Sequence, residues 1–428
     1  MINQLLFGML CLICSLIILE GINLRSKIFQ FPFLMAATSI SFVIPQAFAL
    51  VNPSQTAFVV QEQAITRVLI MSCLCIGMCW VGYQLTLPRA WFESKITQLD
   101  SGRLTTVNIV YIAIGIGFGI LVSAASATES LSGRSSGSIT ILIFFARLFA
   151  NTGFAIALLG FFQNSRNLQN QILLCLASVT PFYWAFGLGR RTGLAMVILA
   201  FAIACYFFRR YTPPRIVIVL TIALSIFLIP FIGQQRGFTS DKWQDFERIE
   251  YTESIENIIE GDNSLELRNA ALIMDAVAVT GRHEWGKGYW NALVFRYVPA
   301  QLLGRGFKDS LRFSSFNYEG LMYYLYQYRL PTGTTPTGIG DSFIQFDYFG
   351  CLFFAIMAIV YKWLWYRALH QNSMVAQIFY IVSCTYAMTS ITHGTANFIP
   401  NMLLVIISLL PVILYAGIKK SNSVLSLR

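Results

Sequence analysis

Apolar runs of membrane-spanning length govern what this chain can fold into. They fall at about 2–20, 29–51, 65–87, 104–124, 138–162, 171–188, 192–208, 216–233, 338–361, 374–394 and 401–418. Each is close to the roughly 20 residues that a helix needs to cross a bilayer. In lipid every backbone N–H and C=O has to be paired within the segment, so such runs predict helices rather than open sheet. Only 12% of the residues are charged, 56% are hydrophobic, and the mean hydropathy is +0.62; a soluble domain carries about 25% charged residues. The expected fold is an all-α polytopic integral membrane protein of about 11 transmembrane helices. The first run has no basic residue before it and no small-residue cleavage site after it, so it reads as a retained helix.

One long stretch breaks the pattern. Gln234–Thr337 carries 11 Lys/Arg and 13 Asp/Glu, sorted so that Gln234–Leu267 holds 3 basic and 9 acidic residues and Arg268–Thr337 holds 8 and 4. The chain therefore divides into 1–233 with the first eight helices, 234–337 as one large loop, and 338–428 with the last three. Positive charge orients it. Arg25, Lys27, Arg89, Lys95, Arg103, Arg166, Arg209, Arg210, Arg215, Lys362, Arg367, Lys419, Lys420 and Arg428 share one set of loops, against Glu93, Asp100 and, at the edge of the first run, Glu20. That side is expected to be cytoplasmic, with the C-terminus inside and the N-terminus and the large loop outside. The net charge of +10 is then mostly a topology signal and not a nucleic-acid footprint. All nine cysteines fall within apolar runs, so neither a disulfide framework nor a metal is expected.

Several polar residues stand out against this background. Arg147 lies inside the fifth run with Asn151 one turn on; a charge at that depth marks either a pathway or an interhelical partner. Arg190 and Arg191, in GLGRRTGL, tip the hairpin between the sixth and seventh runs on the outer side, next to a helix N-terminus. Arginine plus free helix N–H groups suits a phosphate at headgroup depth, or simple anchoring to lipid headgroups. Arg236 follows the eighth run. Within the loop, DKWQDFERIEYTESIENIIE spaces apolar residues as an amphipathic helix, and SLELRNAALIMDAVAVTG predicts a second helix ending at Gly281, with Arg268 near its start. The following GRHEWGKGYWNALVFRYVPAQLLGRGFKDSLRF places Arg282, His283, Arg296 and Arg305 among Tyr289 and Trp290. Aromatic faces stack on sugar rings and guanidinium groups hold acidic ones, although an interfacial belt has the same composition. Asp341 at the start of the ninth run, Asp347 deeper in it, and His393 at the outer end of the tenth complete the set; Asp341, His283 and His393 are the candidate bases.

The outer arginine hairpin GLGRRTGL, the single large loop before the last helices, and the segment Pro336-Thr337-Gly338-Ile339-Gly340-Asp341-Ser342-Phe343, with Phe346 and Gly350 beyond, resemble the O-antigen polymerases, the oligosaccharide repeat-unit (Wzy) polymerase family. GYWNALVFRYVPAQLLGRGFKD is similar to that family's aromatic, proline-containing loop. Asp341 stands where the family more often has Glu, and Ala300-Gln301 replaces a basic residue after the loop proline. The resemblance implies a metal-independent, cofactor-free glycosyltransferase of GT-C character in the bacterial inner membrane. It would transfer a growing glycan from undecaprenyl pyrophosphate to the next lipid-linked repeat unit on the periplasmic face, in O-antigen (lipopolysaccharide) or exopolysaccharide synthesis. A flippase and a chain-length regulator would be its partners. Arg190 and Arg191, then Arg147, Arg236 and Arg268, would hold the pyrophosphate. An O-antigen ligase and a flippase for the lipid-linked oligosaccharide are the competing readings.

Overall fold

The computed structural model describes residues 1–52, 60–88, 98–129, 137–187, 191–234, 265–314, 316–331 and 334–418. The described residues are mostly helical. Its long helices are α1 (Ile2–Asn23), α2 (Phe31–Val51), α3 (Glu62–Gln84), α4 (Ser101–Glu129), α5 (Gly137–Gln163), α6 (Leu168–Phe182), α7 (Arg191–Arg209), α8 (Arg215–Gln234) and α9 (Leu265–Thr280). Beyond them come α10 (Lys287–Tyr297), α11 (Tyr318–Tyr326), α12 (Thr337–Phe346), α13 (Leu352–Leu369), α14 (Met374–His393) and α15 (Phe398–Ala416). Among the described residues seven helices are long and apolar enough to cross a membrane, with α12 and α13 counted as one, and Leu148–Gln163, Gly193–Arg209 and Arg215–Ser225 are shorter apolar stretches. The predicted amphipathic helix at 241–260 lies outside the described residues. The second predicted loop helix is α9, and Gly281, at φ +64°, follows it as a left-handed stop.

Local chemistry shapes these helices. Pro32 sits in the first turn of α2, where its missing N–H costs nothing. Midway, α2 widens into a π turn over Ser39–Val43, and Thr38, Ser39 and Ser41 turn their hydroxyls back onto the carbonyls of Leu34, Met35 and Ala37 at 2.8–2.9 Å. Asp100 caps α4 by accepting from the Arg103 N–H at 2.8 Å, and Asn167 caps α6 through the Gln169 N–H at 2.9 Å.

By chain contacts the molecule divides into two compact units. The first comprises Met1–Thr86, Tyr211–Lys362 and Cys384–Asn401; the second comprises Leu87–Arg210, Trp363–Ser383 and Met402–Arg428. In the first, α3 is a packing spine. Ser72, Cys73, Cys75 and Cys79 are all buried on it. Small side chains let helix backbones approach closely where lipid offers no hydrophobic drive to association. Arg67 of α3 pairs with Asp275 of α9, whose other oxygen accepts from the Tyr326 hydroxyl of α11 at 2.5 Å. In the second unit the Tyr111 hydroxyl of α4 donates to the Ser408 carbonyl, and Thr152 of α5 lies 2.9 Å from the Ser408 hydroxyl. There β1 (Gln98–Leu99) and β2 (Gly417–Ile418) form a two-residue antiparallel ladder.

The ninth apolar run differs from a single straight helix. It is interrupted after Phe346, where Asp347 takes φ +54° and ψ −146° and the chain makes a 3₁₀ stretch, Asp347–Cys351, before α13. A Cβ at Gly338 would meet the carbonyl of Ser390 on α14, so only glycine allows α12 and α14 this close.

Candidate functional site

The site is built on α12. Pro336 leads into it, and Thr337, fully buried, opens it at φ +56°. A β-branched residue in the left-handed region stores about 1–3 kcal/mol of strain, which persists only where the surroundings enforce it. One turn on, Asp341 offers its carboxylate to the connection between α14 and α15. Its Oδ2 accepts from Thr395 Oγ1 and from the Ala396 N–H, both at 2.7 Å. Gly394, at φ +124°, makes the turn that presents these two donors. Since the single Thr395 hydroxyl proton goes to Asp341, the Tyr289 hydroxyl 2.9 Å away donates to Thr395. Three side chains from α10, α12 and the α14–α15 turn thus form one directed chain of hydrogen bonds.

The other end of α12 recruits a second acid. The last carbonyls of a helix lack intrahelical donors. Here the Ile344 and Gln345 carbonyls accept from the backbone N–H groups of Glu284 and Trp285, both at 2.9 Å, and the Phe343 carbonyl lies 3.3 Å from His283 Nδ1. That pairing seats Glu284 beside the helix, 8% exposed. A buried carboxylate requires donors: Glu284 Oε2 accepts from Gln345 Nε2 at 2.9 Å, and Gln345 Oε1 is in turn held by the Gly288 N–H at 3.2 Å.

Glu284 and Asp341 face a common cavity of about 530 Å³, in the size range of small-ligand clefts. Tyr318, Asn317, Glu319 and Gln345 supply the rest of its polar wall, and Ile273, Phe316 and Ile344 are among its apolar residues. Asn317 is fixed by capping α11, accepting from the Gly320 N–H at 2.9 Å. The Tyr318 hydroxyl is buried beside Glu284 but outside ordinary hydrogen-bond geometry. Burial pushes its pKa up, and Glu284 and then Asp341, both negatively charged, add to the shift. Tyr289 is raised for the same reasons, burial first and then Asp341. Both phenols therefore stay protonated at neutral pH and can donate. Among the described residues that line the cavity there is no Lys, Arg or His.

This arrangement gathers some of the residues singled out in the sequence and leaves others aside. Asp341 and Tyr289 are central. His283 flanks the site, its ring against Trp285 and Phe343, and Arg282 stands over the Phe316 ring at 4.8 Å. Arg268 is buried on α9. Arg296 is hydrogen bonded to Asn401, Trp290 donates to the Leu311 carbonyl at 2.8 Å, and Arg305 is exposed. His393 is exposed, with its Nδ1 2.7 Å from the Thr392 hydroxyl, and is not part of the cavity wall. Arg190 and Arg236, and the side chains of Arg147 and Arg191, lie outside the described residues. The cavity draws on the basic half of the long polar stretch and on α12, yet it is walled by carboxylates and holds, among the described residues, none of that stretch's Lys or Arg. Glu284, Tyr318, Gln345 and Thr395 join the site without a signal of their own, except that Glu284 stands directly beside His283 in the chain.

Comparison with family models, with curated proteins and with solved structures finds no match for this chain.

Proposed function

We propose that this chain is a membrane glycosyltransferase that polymerises lipid-linked oligosaccharide repeat units, with the acceptor sugar seated in the Asp341–Glu284 cavity. The observation that carries the reading is that cavity: the carboxylates of Glu284, Glu319 and Asp341 and the protonated phenol of Tyr318, grouped where an apolar, membrane-length segment begins at α12. Hydroxyl-rich ligands are recognised by such mixed donor and acceptor walls, with an apolar wall taking the ring face. The similarity of Pro336–Phe343 and of GLGRRTGL to the repeat-unit polymerases supports the same class.

In the proposed step the acceptor hydroxyl attacks the anomeric carbon of the donor glycan as the bond from that carbon to the pyrophosphate oxygen breaks. The leaving group departs with the bonding pair as undecaprenyl pyrophosphate, and the hydroxyl proton passes to Asp341. Asp341 suits the task because Oδ2 is held by Thr395 and Ala396, which fixes the carboxylate. Glu284, tied to Gln345, orients a second hydroxyl or shares the proton. The anionic leaving group is assigned to Arg190 and Arg191 on sequence grounds, since the carboxylate-walled cavity repels it. The membrane is proposed to be the bacterial inner membrane, with the cavity on its periplasmic side.

The test is the length distribution of surface polysaccharide in cells carrying the wild-type chain, Asp341→Asn, Arg190→Ala with Arg191→Ala, or no chain, at matched membrane levels. A ladder that collapses to a single repeat unit in both variants and the null agrees with a polymerase. Loss of all surface glycan indicates the ligase or the flippase. An unchanged ladder in Asp341→Asn removes the acid from the mechanism.

A further inference from the structure

A second cavity, unrelated to the first, lies at the other end of α3. Arg67, which pairs with Asp275, is near the N-terminus of that helix; Trp80, Tyr83 and Gln84 at its C-terminus help to line a recess of about 200 Å³. At 1.5 Å per residue, Arg67 and Gln84 are roughly 25 Å apart along the axis, most of the thickness of a hydrocarbon core. Glu20 and Gly21 of α1, Lys27 and Lys362 complete the recess.

Its charges are arranged unevenly. Glu20 is fully engaged, pairing with Lys27 through Oε1 and accepting from the Trp80 indole N–H at 2.9 Å through Oε2. Lys362 spends one N–H on the Leu85 carbonyl at 2.7 Å, which caps the end of α3, and among the described residues it has no acidic partner. Two of its donors and its full charge remain available. Tyr83, 8% exposed, lines the same recess, and its hydroxyl has no hydrogen-bond partner among the described residues. Lys362 stands over its ring at 6.0 Å.

The neighbouring surface identifies a ligand for these groups. Leu5, Leu12, Leu16 and Leu19 form one exposed apolar face of α1 that runs to Glu20, and Val81 of α3 and Leu85 just after it are exposed beside the recess. From Leu5 to Leu19 this face covers about 21 Å, the depth of one leaflet and more. We infer that the recess formed by Lys362, Tyr83, Lys27 and Trp80 binds the phosphate headgroup of an anionic phospholipid, whose acyl chains lie along the exposed leucine face of α1.

The test uses the full chain purified in neutral detergent, with native mass spectrometry to count bound lipid. Phosphatidylglycerol is expected to bind about fivefold more tightly than phosphatidylcholine of the same chain length, the factor expected for one lysine at a headgroup. Lys362→Gln should remove that preference and Lys362→Arg should keep it. Lys27→Gln, on the other wall of the recess, should weaken phosphatidylglycerol binding and provides the reading if Lys362→Gln fails to fold. The inference is overturned if Lys362→Gln retains the preference, if Lys27→Gln binds as wild type, or if glycerol phosphate without acyl chains competes as well as the lipid does. None of these outcomes depends on glycosyl transfer.

Discussion

Tyr318 separates function from stability more cleanly than any other residue in the site. Its hydroxyl is buried but makes no hydrogen bond of ordinary geometry, so deleting it forfeits little. A polar group that is not satisfied costs stability, and replacing it with hydrogen is neutral or favourable. Tyr318→Phe is therefore expected to leave the unfolding temperature unchanged or raised while lowering the proposed polymerisation about tenfold or more; equal activity would exclude the hydroxyl from substrate contact. Asp341→Asn keeps the shape of the side chain but cannot take a proton, and loss of a general base costs about 10²–10⁴ in rate. Measured in membranes with a lipid-linked acceptor, a smaller loss would favour Glu284 as the proton's destination. The sequence marked Asp341 through its Gly-Asp setting. It could not mark Gln345, which reaches Glu284 across 61 residues of chain.

At the scale of the element, α12 depends on how closely others approach it and α9 on a buried charge. The Cβ of Gly338→Ala would run into the Ser390 carbonyl, a backbone atom that cannot swing aside as a side-chain tip would. Overpacking of this kind costs about 1–3 kcal/mol, so the variant should melt earlier than wild type in detergent and show a disturbed Asp341 site. The Arg67–Asp275–Tyr326 cluster joins α3, α9 and α11, with the Asp275 side chain only 4% exposed. Arg67→Ala would leave that carboxylate buried with one phenol as its support, a loss of about 3–5 kcal/mol. Arg67→Met combined with Asp275→Leu should regain much of it, because the pair's Coulombic gain is set against its own desolvation. If the double variant is no more stable than Arg67→Ala, the cluster acts through packing and not through charge.

For the whole molecule, the distribution of Lys and Arg predicts an orientation that can be checked directly. Fluorescent-protein fusions at the C-terminus should be bright and alkaline phosphatase fusions there inactive, while alkaline phosphatase inserted after the exposed Phe313 should be active. The reverse pattern would put the Asp341 cavity on the wrong side for a periplasmic polymerase. Hydrophobic length alone determined the helical class, while the expected eleven spans compare with seven helices, among the described residues, long and apolar enough to cross a membrane. The apolar runs could be read as helices because in lipid each helix pairs its own backbone, and that requirement is local to the segment. The stop of α9 at Gly281 was legible for the same reason, since a left-handed glycine after a periodic run is a neighbour effect. The break at Asp347 was not legible. It depends on an unusual backbone conformation that neighbouring residues do not dictate and only the surrounding structure can hold. The site has the same split. Asp341 announced itself as an acid within an apolar run, but its partners Thr395, Ala396 and Tyr289, and the second acid Glu284, are brought to it by the turn at Gly394 and by the carbonyls at the end of α12. A sequence records which groups need a partner, and only the tertiary structure decides which partner, because burial and direction belong to the folded chain as a whole.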